Sequence, residues 1–388
     1  MVKIKRKPIL LILKTPPPYG GGELLSAAIR SYVSGNSDFI VQEINSPKRD
    51  KTNQGKFAFW KIPEFIANLW HFLCLIRRHR PCLVFCPLPK DFIGFLRDSF
   101  YFWTARLHKV PTAGELAGVG FYFLGNGNLQ TWYGKLVLSR LICLRVLGKS
   151  VAQSLAGFDI KKTIVTDNGI ESQANYKYCA KPEDRVLRLI FIGTHSPQKG
   201  FDQLVEACVI LAHKGPSFEV HALGEWISSQ FRERIFSILR DKGLTNRFVF
   251  HGLVHGREKW SILAESQILV LPSIQEGQPL AILEALACGI PVVASRVGAI
   301  PDTIEHGING FLVTPGVPVE LAEKLEDLIT NPELLLKISA ANLQLYQQRF
   351  TQEAFLKTQV AWLKACASGK LVPEGQFFAA NDELCKRP

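Results

Sequence analysis

The stretch from Gln267 to Ser295 limits the possible folds more than any other part of the chain. Gln267 to Leu271 is a short apolar run with the length and composition of a buried strand. A polar loop with a carboxylate at Glu276 follows, and then an apolar helical pattern that contains Glu284. Pro279 suits the first helical position and Gly289 the stop. A second apolar run, Ile290 to Ala294, begins at once. Strand, tight loop, helix and strand in 29 residues form a parallel α/β unit. Its helix start aims amide groups and a positive dipole end at the loop, an arrangement that holds phosphate. Glu276 and Glu284 can then take hydroxyl groups beside the phosphate.

The same alternation runs through the rest of the chain. Strands are expected at Ile9–Leu13, Phe39–Ile44, Cys82–Cys86 and Thr163–Thr166. Helices are expected over 23–33, 62–78, 92–107 and 133–147, with a turn-rich segment from Gly114 to Gly127. Residues 171–186 are polar and read as a linker. The pattern restarts with strands at 187–192, 218–223, 248–250 and 310–313, and helices at 201–213, 231–243, 258–264 and 319–329. At 388 residues the chain exceeds one ordinary core. Two doubly wound domains, 1–170 and 187–351, facing a cleft are the expected assembly. A helix over 352–367 is expected to pack back across the boundary. Residues 368–388 lack periodicity and read as a disordered tail.

Charge divides the chain unevenly. Residues 1–180 hold 25 Lys and Arg against 11 Asp and Glu, a net of +14. The remainder holds 21 against 23, a net of −2. The first half is therefore expected to meet something anionic, and an anionic membrane surface is the expected partner. Without a nucleic-acid motif, charge alone argues for nucleic acid, so none is expected. The nine cysteines are scattered without paired C-x2-C spacing, which fits a reducing compartment and gives no metal site. The run from Pro8 to Leu13 is too short for a signal peptide, and no stretch reaches the length of a membrane span. A cytoplasmic chain, peripheral on the inner face of the membrane, is the expectation.

Four segments together resemble the retaining family-4 glycosyltransferases, which have the GT-B fold. They are Phe191-Ile-Gly-Thr-His-Ser-Pro-Gln-Lys-Gly-Phe-Asp202, Gly252-Leu-Val254, the Glu276-x7-Glu284 segment, and Val297-Gly-Ala-Ile-Pro-Asp302 with Gly307-Ile-Asn-Gly-Phe311. The resemblance implies a transferase that moves a sugar from a nucleoside-diphosphate sugar, UDP first, to a glycan or lipid-linked acceptor, as in assembly of surface polysaccharide. It implies no cofactor and no metal, and no Asp-x-Asp motif is present. Lys199 would neutralise the donor diphosphate and Glu276 would hold the donor sugar near the anomeric carbon. Glu284 would take the ribose hydroxyls. Gly193, Thr194, Val254, Gly277, Gln278, Pro279 and Leu280 would line the donor. In the first domain, Gly20, Gly21 and Gly22 would admit phosphates, and Glu115 would lie near the sugar or acceptor. The chain departs from the family pattern twice: Thr194 stands where Arg is usual and Ala117 where His is usual. His195 or a first-domain cation would then compensate at the phosphate. A sugar-nucleotide epimerase and a non-catalytic sugar-nucleotide scaffold are the alternatives.

Overall fold

The computed structural model describes residues 7–16, 20–44, 62–118, 120, 121, 124, 129–172 and 186–369. Most of the expected linker (173–185) and tail (370–388) therefore lies outside the described residues. So do 1–6, which hold most of the basic N-terminal run, and 119, inside the segment aligned around Ala117. The chain divides into two compact units, Met1–Asn168 with Glu353–Pro388, and Gly169–Gln352.

The first unit runs β1 (Ile9–Leu13), α1 (Gly21–Val33), β2 (Phe39–Glu43), α2 (Ile62–His79), β3 (Leu83–Pro87), α3 (Phe92–Leu107), β4 (Thr112–Leu116), α4 (Leu129–Leu138), β5 (Cys143–Val146), α5 (Lys149–Ser154) and β6 (Thr163–Val165). The strands are parallel, in the order β2-β1-β3-β4-β5-β6. β1 is buried at every position, as both-faces-covered parallel strands are. Two readings of the sequence fail here. Of the expected turn-rich segment over 114–127, residues 114–116 lie in strand β4, and 119, 122, 123 and 125–127 lie outside the described residues. Gly114 lets two leucines pack close to the strand, because a Cβ there would stand 2.8 Å from Leu88 and 3.1 Å from Leu141 side-chain carbons. The expected helix over 133–147 stops at Leu138, and Cys143–Val146 is strand β5. An unbroken apolar run fits a buried helix and a buried parallel strand equally well.

The second unit runs β7 (Leu187–Ile192), α6 (Phe201–His213), β8 (Phe218–Leu223), α7 (Ser229–Asp241), β9 (Phe248–Gly252), α8 (Gly256–Ala264), β10 (Ile268–Leu271), α9 (Leu280–Cys288), β11 (Val292–Ser295), β12 (Gly310–Val313), α10 (Pro318–Ile329) and α11 (Pro332–Leu345). Its six strands are also parallel, in the order β12-β11-β10-β7-β8-β9. α6 buries Phe201, Leu204, Val205, Cys208 and Leu211, the 3.6-residue stripe that fixes its face to the sheet. Ile170 bridges Thr351, and its carbonyl accepts from Gln352 N and Tyr346 Oη. The points where the chain enters and leaves this unit therefore lie side by side.

α12 (Gln352–Ala367) follows the second unit in sequence but packs in the first. Trp362 is fully buried against Phe85, Phe355 lies under the Arg145 guanidinium, and Lys364 pairs with Asp38. Among the described residues, no helix is long and apolar enough to cross a membrane.

Candidate functional site

In the second sheet the chain builds β7, β8 and β9 in one direction, then returns to place β10, β11 and β12 on the other side of β7. The order reverses between β7 and β10. In open α/β sheets ligands bind outside the carboxyl ends of strands at such a reversal. The loop after β7 carries Lys199, and the loop after β10 carries Glu276.

The two loops are locked together. Ile274 N donates to Gln198 O at 3.0 Å. Gly200 has φ of +67°, and a Cβ on it would stand 1.8 Å from the Pro272 carbonyl oxygen. Only glycine permits that backbone and that approach. Ser196 caps the 3-10 turn Pro197–Lys199 by accepting from Lys199 N. Lys199 Nζ then reaches Glu276 Oε1 at 2.5 Å, and the buried Ser273 hydroxyl donates to the same oxygen at 3.0 Å.

α9 begins at Leu280 with Pro279 as its N-cap, one residue later than Pro279 at the first helical position would give. Gly289 ends it at φ of +77°, as expected. The loop before α9 is braced from β11's side: Ala299 N donates to Gly277 O and Gln278 Nε2 donates to Thr303 Oγ1. Gly277 and Gln278 thus sit beside Glu276 at a helix start where, in the first turn, Ile282 N donates to Pro279 O, while the amides of Leu280 and Ala281 have no carbonyl one turn earlier in the helix.

Glu284 lies one turn further into α9 and is 7% exposed. A carboxylate in so apolar a helix needs a partner. Lys259 on α8 supplies it, with Nζ 2.7 Å from Oε1 and 2.5 Å from Oε2. Lys259 and Ser273 are site residues that the sequence reading missed. Ser273, three residues before Glu276, was the more legible. Nothing local marks Lys259, which comes 25 residues earlier.

Gly193 N donates to Leu223 O, and its carbonyl lies where a Cβ on Gly224 would come within 2.0 Å. Thr194 is half-buried in the same loop. Val254 follows β9 and is buried in the core. His195 does not reach a phosphate position. It is fully buried, stacked on Phe201 at 4.6 Å and edged by Trp226, with neither ring nitrogen hydrogen-bonded. Burial lowers its pKa to about 4.

In the first unit, Gly20 caps α1 with φ of −94°, and Gly21 and Gly22 open the helix rather than precede it. A Cβ on Gly22 would meet nothing within 4 Å. Glu115, at the end of β4, pairs with the fully buried Arg145, which also donates to Thr166 Oγ1, Asp167 O and Asn168 Oδ1. Its carboxylate therefore satisfies a buried cation. Ala117 is exposed. Among the described residues no group of three or more His, Cys, Asp or Glu is placed to hold a metal ion.

Residues 180–344, nearly all of the second unit, match the family described as glycosyl transferases group 1. This segment is a group 1 glycosyl transferase domain. The chain is 31% identical over 175 residues to the amylovoran biosynthesis glycosyltransferase AmsK of Erwinia amylovora, a match covering 43% of this chain and 42% of AmsK. The chain thus spans about two fifths of that relative's length. Solved structures share the GT-B fold over nearly the whole chain. Sucrose-phosphate synthase from Thermosynechococcus elongatus superposes with a TM-score of 0.73 at 17% identity, covering 94% of this chain and 100% of that one. HepE from Anabaena, solved in complex with UDP and glucose, gives 0.69 at 18% identity, covering 93% and 100%. Within the matched segment, the loops after β7 and β10 hold the lysine and carboxylate just described.

Proposed function

We propose that the chain is a retaining glycosyltransferase of family 4. Its donor is a nucleoside-diphosphate sugar, UDP-linked in the first instance, and its acceptor a glycan or lipid-linked saccharide of a surface polysaccharide. The observation that carries this reading is the Lys199–Glu276 pair at the strand-order reversal, beside the start of α9.

Each residue has a task in this reaction. The donor diphosphate enters at the amide end of α9 and draws Lys199 from Glu276. The ammonium then neutralises the charge that grows on the leaving diphosphate. Glu276, held by Ser273, takes the donor sugar hydroxyls and the positive charge developing at the anomeric carbon. Glu284 takes the ribose hydroxyls, with Lys259 fixing its orientation. Lysine and helix end supply the charge compensation, so the reading is metal-independent. Rate comes from positioning and electrostatics. The relationship to AmsK, a glycosyltransferase of amylovoran biosynthesis, supports the polysaccharide setting. The basic first unit supports attachment to an anionic membrane surface on the cytoplasmic side, where a lipid-linked acceptor is met.

Thr194, in place of the expected Arg, favours a second reading in which the domain binds a sugar nucleotide without turnover. Incubation with UDP-, GDP- and ADP-sugars and a lipid-linked acceptor, with and without EDTA, separates the two. Transfer with release of the nucleoside diphosphate and unchanged anomeric configuration supports the transferase. Binding without release supports the second reading, and loss of activity with EDTA followed by rescue with Mn²⁺ contradicts metal independence.

A further inference from the structure

The first unit contains a pocket of about 510 Å³ that the donor reaction does not use. It lies at the amino ends of the strands: Thr112 opens β4, Ile142 directly precedes β5 and Lys161 lies just before β6. Three residues of β4, about 10 Å, separate Thr112 from Glu115 toward the carboxyl edge.

Its chemistry is one-sided. Arg106, Lys109, Arg140 and Lys161 line it, and no carboxylate does. None of these four cations pairs with a carboxylate among the described residues. Thr112 is 3% exposed, lines the pocket, and its hydroxyl has no hydrogen-bond partner. A buried hydroxyl without a partner is costly and rare. Lys109 is also held where glycine would serve the backbone better. α3 ends with Val110 N donating to Ala105 O and Lys109 N to Arg106 O, and Lys109 has φ of +59°. That is the left-handed cap position glycine usually fills. The apolar wall, chiefly Phe102 and Ile142, gives room for a non-polar group next to an anion.

We propose that this pocket is a binding site for a phosphate-bearing anion, separate from the donor site. The Arg106 guanidinium matches phosphate oxygens in a pair, Arg140 offers the N–H groups left over from its Nη1 bond to Leu136 O at 2.8 Å, two ammonium groups add charge, and Thr112 offers the remaining donor. The same chemistry is presented by a soluble phosphate compound and by a phospholipid headgroup. The inference does not rest on the transferase reading of the second unit.

The test uses the full chain, Lys109→Gly with Arg140→Gln, and a control, Arg77→Gln with Arg78→Gln, which removes two exposed cations of α2 outside the pocket. Each is titrated calorimetrically with inorganic pyrophosphate, and by co-sedimentation with phosphatidylcholine vesicles with and without 30% phosphatidylglycerol. The donor site is common to all three proteins, so differences between them isolate the pocket. Lys109→Gly relieves the backbone and is expected to fold at least as stably as the parent, which thermal melting checks. Roughly 10-fold or greater weakening toward pyrophosphate in the pocket variant alone identifies a soluble phosphate ligand. The same selective loss on anionic vesicles, without a pyrophosphate effect, identifies a lipid headgroup. Equal losses in pocket variant and control, or no loss in either, overturn the proposal and leave the cations as complements of the helix ends.

Discussion

Lys199 and Glu276 come from loops 77 residues apart in sequence and meet at 2.5 Å. Their pairing fills the strand-order reversal of the second sheet with one ammonium and one carboxylate. Without donor, each neutralises the other. In the proposed reaction, the donor diphosphate takes the ammonium and the carboxylate turns to the sugar. Glu276→Gln is expected to leave the fold intact and lower transfer by about 100-fold, about 2.7 kcal/mol of transition-state stabilisation. Lys199→Ala should lower it to a similar degree, and the double variant by less than the sum, because the two groups act as a unit. Steady-state rates on folded protein test this, and near-normal turnover in Glu276→Gln removes the residue from the reaction.

Lys259 and Glu284 form a second pair between α8 and α9, more enclosed than the first. Removing the lysine alone leaves a buried carboxylate uncompensated. Lys259→Met is therefore expected to cost about 3 kcal/mol of stability and to weaken donor binding more than turnover. Lys259→Met combined with Glu284→Gln should recover most of the stability and none of the donor affinity. Chemical denaturation and donor titration on the three proteins check both halves. Recovery of affinity along with stability would confine Glu284 to a structural role.

Gly200 ties the Lys199 turn to the loop that carries Glu276. Gly200→Ala must accept a left-handed backbone and a Cβ inside contact distance of Pro272 O. It is expected to destabilise the protein on the order of 3 kcal/mol and to abolish transfer even at temperatures where it remains folded. Wild-type-like melting would contradict the locked-loop geometry.

Burial of His195 in an aromatic cluster sets a pH dependence. Its pKa falls from 6.5 to about 4 on folding. The unfolded chain therefore binds more protons than the folded one between those values. This part of the stability is complete above pH 6.5 and is lost as pH falls toward 4, by about 3 kcal/mol in all. His221 and His251, also lowered by burial, act in the same direction. His195→Leu is expected to flatten the fall in stability between pH 6.5 and 4 and to raise stability at pH 5. Denaturant titrations across that range decide it, and an unchanged slope would show that the ring is not buried as a neutral base.

Much of this architecture is legible in the chain because local pattern and burial agree. β7, α6, β8 and α12 fall at the residues the pattern marks, since each apolar run is bounded by glycine, proline or charge. β4 is hidden because Gly114 and Glu115 interrupt its apolar run. Both are explained only by distant partners: side chains crowding Gly114, and Arg145 facing Glu115. β5 is hidden for the opposite reason, an apolar run too uniform to reveal its period. At the site, Glu276 and Glu284 are marked by spacing around a strand–loop–helix unit, and Lys199 by the resemblance of its loop to the family-4 glycosyltransferases. Lys259 is invisible because its role depends on how α8 lies against α9. His195 is misread because a histidine beside a phosphate loop looks available until its neighbours, Phe201 and Trp226, are seen around it.

In the proposed reaction, the loops after β7 and β10 hold a donor diphosphate through Lys199 and the start of α9. Calorimetric titration of the full chain with UDP, GDP and ADP, each against its parent nucleoside, tests it most directly. One diphosphate is predicted to bind about 100-fold more tightly than its nucleoside, with most of that difference lost in Lys199→Ala. Equal affinity for diphosphate and nucleoside in every pair, or a preference that survives Lys199→Ala unchanged, would contradict it.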